Sequence, residues 1–157
     1  MGIPAGIYRR IARITAVSVV ALGSIALTPS AHAAGYGCAG NLIDTYYAKA
    51  YPGGAVFGYF YLYYDASTGR NCGVTVANSA GGYGTPKYMR AEIDVCASTV
   101  PGDACQSVVT YDNDAGTYSN YAGPVSVKAA GRCIAIFGQI NYAGKIAQAE
   151  SLAAHCG

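Results

Sequence analysis

The 157-residue sequence lacks several features that would point to a particular chemistry. It has no tryptophan and only 11% charged residues, and His155 is the one histidine beyond the first 33 residues. A Ser-His-Asp relay needs a base beside a positioned nucleophile, and no G-x-S-x-G elbow is present to supply one. No C-x-x-C or H-x-x-x-H spacing occurs, which disfavours zinc. We therefore predict a non-enzymatic protein without metal or cofactor, in which His155 is structural or exposed.

The beginning of the chain has the pattern of an export signal. Three arginines precede the apolar run Ile14–Leu27, and Ala31-His32-Ala33 fits the small-x-small rule for cleavage. The run is shorter than the ~20 residues of a comfortable membrane span. We predict a signal peptide over residues 1–33, with cleavage before Ala34; an uncleaved anchor is the alternative.

Loss of the leader would leave 124 residues with seven basic and eight acidic side chains, a net charge of −1. No run of lysine or arginine remains, so nucleic acid and anionic membranes are not expected partners. A chain of this length forms one domain with a real core. The prediction is a secreted, extracellular domain over residues 34–157; its oligomeric state is not constrained.

The stretch Gly58–Asn78 has the pattern of two strands joined by a tight turn. The turn, Asp65–Gly69, combines a short acid, small polar residues and a glycine. The run before it is mostly aromatic, and in an extended strand alternate residues face opposite sides. One face would then carry Tyr59, Tyr61 and Tyr63, and the other Phe60, Leu62 and Tyr64.

Further strands are predicted along the rest of the chain. Apolar and charged residues alternate from Tyr88 to Cys96, and Val125–Ala129 also alternates. Cys133–Ile140 is the most apolar strand and is expected to be central, whereas Val108–Tyr111 is a short one. With turn signals between them, these strands predict an all-β fold, an antiparallel β-sandwich or barrel.

Two segments are interpreted less simply. Asp112–Gly116 faintly resembles a calcium loop, but the final glutamate of the EF-hand pattern is missing, so we predict a turn with two solvated aspartates. Ile146, Ala149 and Ala153 have helical spacing, so a helix over Lys145–Ala154 is an alternative to strand.

Glu92 and Asp94 are candidates for acid–base chemistry, since paired carboxylates carry out glycoside hydrolysis. On one strand at i and i+2 they point the same way, beside Arg90, and no acid is predicted on a facing wall. We interpret them as part of a solvated strand face.

Six cysteines behind a signal peptide predict three disulfides. Cys96 and Cys105 enclose a short loop that a bridge between adjacent strands closes easily, so this pair comes first. For the other four, one set is Cys38–Cys72 with Cys133–Cys156, and the competing set is Cys38–Cys156 with Cys72–Cys133.

The tyrosine face of the hairpin supports a binding hypothesis. Aromatic rings on a flat sheet can stack on sugar rings while their hydroxyls bond ring substituents. The candidate glycan-binding residues are Tyr59, Tyr61 and Tyr63. The alternative is that these rings pack, because tyrosine is a favoured strand residue in any case.

Several short blocks resemble the spore-associated protein A family of sporulating filamentous bacteria. They are Gly37–Asp44, Tyr61–Asp65 with Asn71-Cys72, Tyr121–Val125 and the closing His155-Cys156-Gly157. The resemblance spans about Ala34 to Gly157. It implies a small exported protein that associates with the spore exterior, and the family offers no catalytic residues to transfer.

Three functional classes follow. The first is a secreted, non-enzymatic protein that associates with the spore or cell-wall surface. The second is a carbohydrate-binding module that recognises wall glycan through its tyrosines. The third is a small secreted inhibitor or hydrolase, which a pocket collecting His155 with an acid and a hydroxyl would favour.

Overall fold

The computed structural model describes Gly2 and residues 33–157, which form ten strands and no helix. The predicted signal peptide lies outside the described residues apart from Gly2 and Ala33. Within the described part there is accordingly no helix of membrane-spanning length and hydropathy. The strands are β1 (Ala33–Gly35), β2 (Cys38–Ala39), β3 (Asn41–Tyr51), β4 (Val56–Asp65), β5 (Arg70–Ala77), β6 (Lys87–Cys96), β7 (Val108–Tyr118), β8 (Tyr121–Lys128), β9 (Ile134–Tyr142) and β10 (Lys145–Glu150).

Eight of these strands form one antiparallel sheet in the order β7-β6-β9-β10-β3-β4-β5-β8, and β1 pairs with β2. The sheet curls until its two edge strands, β7 and β8, lie against each other. The all-β prediction is confirmed, and of its two forms the fold is a nearly closed barrel stabilised by three disulfides.

The seam between β7 and β8 is joined by side chains rather than by ladder hydrogen bonds. The Ser126 amide donates to Asp112 Oδ2 and the Gly123 amide to Asp114 Oδ2, both at 2.7 Å. The Tyr118 hydroxyl also donates to Asp114. The predicted turn at Asp112–Gly116 is therefore wrong. These residues lie within β7 and pair with β6. Their carboxylates accept hydrogen bonds from backbone amides of β8, which as an edge strand would otherwise leave those amides unpaired.

The barrel interior is filled by the alternating apolar faces of its strands. Phe60 and Leu62, predicted to share one face of the hairpin, point inward from β4, and their partners in β5 are Thr75 and Gly73. A side chain at Gly73 would put a Cβ 2.3 Å from the Phe60 ring, so a glycine is needed there. The largest fully buried side chains of this interior include Phe60, Leu62, Met89, Ile93, Ile134, Ile140, Val95 and Val125.

The C-terminal segment is a strand, and the alternative of a helix over Lys145–Ala154 is wrong. β10 pairs with both β3 and β9. Its Ala147 and Ala149 are buried at a period of two, whereas Ile146 is half-exposed. A short segment with small apolar residues fits both the helical period of 3.6 and the strand period of two, and here pairing with two neighbouring strands determines which one forms.

The three disulfides lie at one end of the barrel. Cys96 ends β6 and is bonded to Cys105. Cys133, which directly precedes β9, is bonded to Cys156 and accepts the Cys96 amide hydrogen bond at 2.9 Å. The third bridge, Cys38–Cys72, ties β2 to the beginning of β5. The first set of pairings is the one that the structure contains.

The opposite end is held by a lysine. Lys87 begins β6 with only 7% of its surface exposed. Its ammonium donates to the carbonyls of Gly82, Thr85 and Ser119, each at 2.8 Å. Burial lowers its pKa. The three carbonyls replace the water that the buried charge has lost. Since two of them belong to the β5–β6 connection and one to the β7–β8 turn, Lys87 holds these two segments together.

Candidate functional site

Five tyrosines form a continuous row on the outer surface of the barrel, which we call the tyrosine row. Its ring centroids are 5.6 Å apart for Tyr47–Tyr59 and 5.8 Å for the stacked pair Tyr59–Tyr61. Tyr36 stacks on Tyr61 at 6.1 Å and meets Tyr121 edge-on at 5.2 Å. Such pairs contribute beyond the area they bury, so the row is a defined surface rather than a set of separate side chains.

The row remains accessible. Tyr47 is 56% exposed, Tyr36 40% and Tyr121 38%, and the rings of Tyr59 and Tyr61 are half-buried between them. Burial, and then the neighbouring phenols, raise the pKa of Tyr61. A neutral aromatic surface with hydroxyl groups can contact a sugar or another apolar–polar surface.

Tyr63, the third residue of the predicted face, lies elsewhere. It is buried in a small cluster with Cys38 and Cys72, beneath the N-terminal segment. Its hydroxyl would be only 3.1 Å from a Cβ at Gly35. The three tyrosines do share the outer face of β4, yet Tyr63 packs while the other two belong to the tyrosine row.

The remaining members of the row could not be selected from one strand. Tyr47 stands opposite Tyr59 in the β3–β4 ladder, and Tyr121 opposite Val76 in the β5–β8 ladder. Tyr36 lies in the turn between β1 and β2. The alternation of β3, in which Ala48 and Ala50 point inward, is the signal that could have placed Tyr47 outside.

A second feature is a cavity of about 440 Å³ at the disulfide-bonded end of the barrel, which we call the barrel mouth. Tyr64 and Asn71 enter it from the paired ends of β4 and β5. The C-terminal tail lines it with His155 and Gly157, and just before them Ala154 forms a bridge with Ile134. The lining includes Ile43, Tyr64, Asn71, Ala129, Ala130 and His155.

His155 forms a cluster beside the barrel mouth with two side chains of β3. Its Nε2 lies 3.2 Å from Asp44 Oδ2 and 3.2 Å from the Tyr46 hydroxyl. Its backbone has φ of +47°, a left-handed conformation that non-glycine residues rarely adopt. His155 is thus a positioned side chain, held between Asp44 and the neighbouring Cys156 disulfide.

The cluster shifts the titration of its members. Burial opposes ionisation of Asp44, but hydrogen bonds from the Thr45 amide, Tyr46 and His155 outweigh it, and its pKa is lowered. Burial, and then hydrogen bonding to the charged Asp44, raises the pKa of Tyr46 to about 12. The carboxylate is therefore the charged member and the phenol the neutral one.

This cluster brings together a histidine, an acid and a hydroxyl beside a cavity, as the hydrolase class would require. Among the described residues, however, no serine, threonine or cysteine lines the barrel mouth. The arrangement can donate and accept hydrogen bonds. The serine beside it, Ser151, is hydrogen-bonded to Tyr46 and to the Ile136 amide rather than to His155, so it is not paired with the histidine as a nucleophile would be.

Glu92 and Asp94 lie on the outer face of β6, pointing the same way as predicted. Glu92 pairs with Arg90 and keeps only 14% side-chain exposure, so this face is less solvated than predicted. Burial, and then the Glu92 charge, raises the pKa of Asp94. Among the described residues, the shallow pocket on this face has no acid on a facing strand. Nor do the described residues include a group of histidine, cysteine or acidic side chains arranged to hold a metal ion.

Comparison with known proteins decides the relationship of the chain. It is 34% identical to spore-associated protein A of Streptomyces coelicolor over 151 residues, covering 93% of this chain and 86% of the relative. The chain belongs to the spore-associated protein A family. No family model matches it, and no solved structure matches it either. The family resemblance predicted from the short sequence blocks is confirmed.

Proposed function

We propose that this protein is exported and associates with the exterior of spores through the tyrosine row, without catalysing a reaction. The name of the Streptomyces coelicolor relative supports a spore-associated role. The observation that carries the proposal is the tyrosine row itself. It is an ordered aromatic surface on which Tyr36, Tyr47 and Tyr121 each keep more than a third of their area exposed. Exposed aromatic patches of this kind are typical of interaction sites.

The proposed attachment is non-covalent. All six cysteines are engaged in disulfides, so among the described residues no free thiol can cross-link the protein to a surface. The exported part carries a net charge of −1, so attachment depends little on salt. Detergent should therefore release the protein from spores without a reductant.

Binding of purified protein to spores tests the proposal. The variant Tyr47→Ser with Tyr121→Ser removes exposed rings at both ends of the tyrosine row and should lower spore binding at least tenfold. The matched control, Tyr83→Ser with Tyr111→Ser, removes two exposed tyrosines outside the row and should bind as the wild type. Equal loss in both variants, or release that requires a reductant, would overturn the proposal.

A second candidate function is recognition of wall glycan by the same surface. The near-parallel stacking of Tyr36 on Tyr61, at 4°, favours it, because a sugar ring can add to a stack of parallel aromatic rings. Tyr59→Ala with Tyr61→Ala should then weaken binding in a glycan pull-down while the fold survives. Spore binding that persists after removal of wall glycan would favour the first candidate.

The hydrolase class gives a direct test of the non-enzymatic proposal. If the purified protein hydrolysed an ester, peptide or glycoside, and His155→Ala abolished that activity, the proposal would be wrong. The absence of a nucleophile from the described lining of the barrel mouth supports the outcome that no such activity exists.

A further inference from the structure

We propose that the barrel mouth is a binding site for a neutral small molecule that presents an amide or acetamido group, recognised by Asn71 and His155. The site is separate from the tyrosine row: the row lies on the outer face of the barrel, whereas Asn71 points inward at its end. The proposal therefore stands or fails independently of spore association.

Asn71 carries the proposal. It is 4% exposed, and it faces inward because its partner in β4, Tyr64, follows Phe60 and Leu62 on the inner face of that strand. Its side-chain amide makes no hydrogen bond with any other described residue. Yet no fully enclosed polar side-chain atom among the described residues is left unpaired. The Asn71 amide therefore opens into the cavity that it lines.

An unpaired amide in this position costs free energy unless something pairs with it. In this family member an apolar side chain of similar volume would suit the surrounding core better, since Val127 and Leu62 are neighbours on the same inner face. A nearly buried polar side chain that has no described protein partner and faces a cavity is typical of a binding residue.

The chemistry of the lining defines the class of ligand. Among the described residues that line the barrel mouth there is no lysine, arginine, aspartate or glutamate, and the nearby Asp44 carboxylate is already paired with His155, so the lining favours a ligand without charge. A carboxamide offers one acceptor and two donors in a plane, and a ligand amide satisfies it with a complementary donor and acceptor. Ile43, Ala129 and Ala130 provide apolar contact for an adjoining methyl group.

The remaining walls suit a ring attached to that amide. Tyr64 is 39% exposed at the barrel mouth and can contact the flat face of a ring. His155 also lines the barrel mouth, and the contacts of its Nε2 with Asp44 and the Tyr46 hydroxyl hold the imidazole in place as a second hydrogen-bonding group. The volume of about 440 Å³ falls in the ~300–1,000 Å³ range of small-molecule sites.

Chemical-shift titration of the isotope-labelled protein tests the site. The probes are N-methylacetamide and N-acetylglucosamine, with glucose as the matched sugar that lacks the acetamido group. We expect both amide probes to shift the Asn71 side-chain resonances and the backbone amides around the barrel mouth, and glucose at equal concentration to shift neither. No shift with either amide probe, equal shifts with glucose, or shifts confined to the tyrosine row would each overturn the proposal.

Two variants separate binding from folding. Asn71→Leu should leave the urea midpoint unchanged or higher while it weakens N-acetylglucosamine binding at least tenfold. A structural asparagine would give the opposite result, a lower midpoint with binding retained. His155→Asn, which tolerates the left-handed backbone, should weaken binding with the fold intact; unchanged affinity in this variant would contradict the role of the imidazole.

Discussion

Lys87 is a buried charge whose partners are all backbone carbonyls. Replacing it by methionine keeps much of the volume but leaves the carbonyls of Gly82, Thr85 and Ser119 without a donor. Since each unpaired buried group costs about 1–3 kcal/mol, partly recovered through water, we expect Lys87→Met to lower the free energy of unfolding by about 2–3 kcal/mol. Urea denaturation measures this.

The control for this substitution is Lys49→Met, which removes an exposed lysine from β3. It should change stability by less than about 0.5 kcal/mol. A similar loss in both variants would show that the three carbonyls do not explain the effect of Lys87.

Tyr46 should mark the cluster at the barrel mouth during alkaline titration. Its pKa in the folded protein is about 12, raised from 10.0. A group that holds its proton more tightly when folded stabilises the fold below its unfolded pKa, and this contribution is lost as the pH rises from about 10 through about 12. Absorbance at 295 nm should therefore show a late phase that Tyr46→Phe removes.

The titration has a control in Tyr51→Phe, because the Tyr51 ring is almost fully exposed. This variant should keep the late phase. Retention of the phase in Tyr46→Phe as well would mean that Tyr46 is not held by burial and Asp44.

At the level of single residues, the sequence predicts the face of a strand on which a side chain lies better than it predicts the residues that the side chain contacts. Alternation placed Tyr59 and Tyr61 on one face of their strand and Phe60 and Leu62 on the other, and the structure agrees. It could not show that His155 meets Asp44, because 111 residues separate them and only the path of the C-terminal tail brings them together. Asn71 had no signal at all, since an asparagine after a turn is also an ordinary loop residue.

The seam is the element on which closure of the barrel depends. Asp112→Ala with Asp114→Ala removes the acceptors of the Ser126 and Gly123 amides. Hydrogen bonds to charged groups contribute about 1.5–3 kcal/mol, so the double variant should lose about 3–5 kcal/mol of unfolding free energy. The freed edge should also promote association, which gel filtration would detect.

Asn113→Ala is the matched substitution, since Asn113 lies between the two aspartates and is exposed on the other face of β7. It should leave both stability and elution volume unchanged. A double variant as stable and as monomeric as this control would contradict the role of the carboxylates.

The disulfides should contribute according to the length of chain that they close. Cys96–Cys105 spans nine residues, so its loss through Cys96→Ser with Cys105→Ser should cost about 2–3 kcal/mol. Cys38–Cys72 spans 34 residues, and its loss should cost about 4 kcal/mol. Urea denaturation ranks the two, and the reverse order would contradict a chain-entropy origin.

At the level of elements, prediction succeeded where one face is apolar and failed where neighbours decide. β6 has buried Met89, Ala91, Ile93 and Val95 in strict alternation, and its pattern is sufficient. β7 has few apolar side chains, because Asp112 and Asp114 form hydrogen bonds with β8. Its sequence pattern therefore resembles that of a turn. A barrel rather than a sandwich was equally beyond reach, since closure depends on how β7 meets β8 and not on the pattern of either strand.

The whole molecule should leave the cell without its first 33 residues. Intact mass of the secreted protein is expected to correspond to a chain beginning at Ala34, without alkylation unless a reductant is added first, because the six cysteines form three disulfides. A retained leader would refute the predicted cleavage, and alkylation of the unreduced protein would refute the pairing.

Because all three disulfides lie at one end, the two ends of the barrel should differ in how easily they open. Covalent bonds restrict opening around Cys72, Cys96 and Cys133, whereas the end at Lys87 is held by hydrogen bonds and by packing such as that of Phe57 on Tyr142. Local opening that breaks no covalent bond should begin at the Lys87 end. Backbone amides of Ala77 and Gly84 should therefore exchange with deuterated water before those of Cys96 and Ile134, and reduction of the disulfides should narrow that difference.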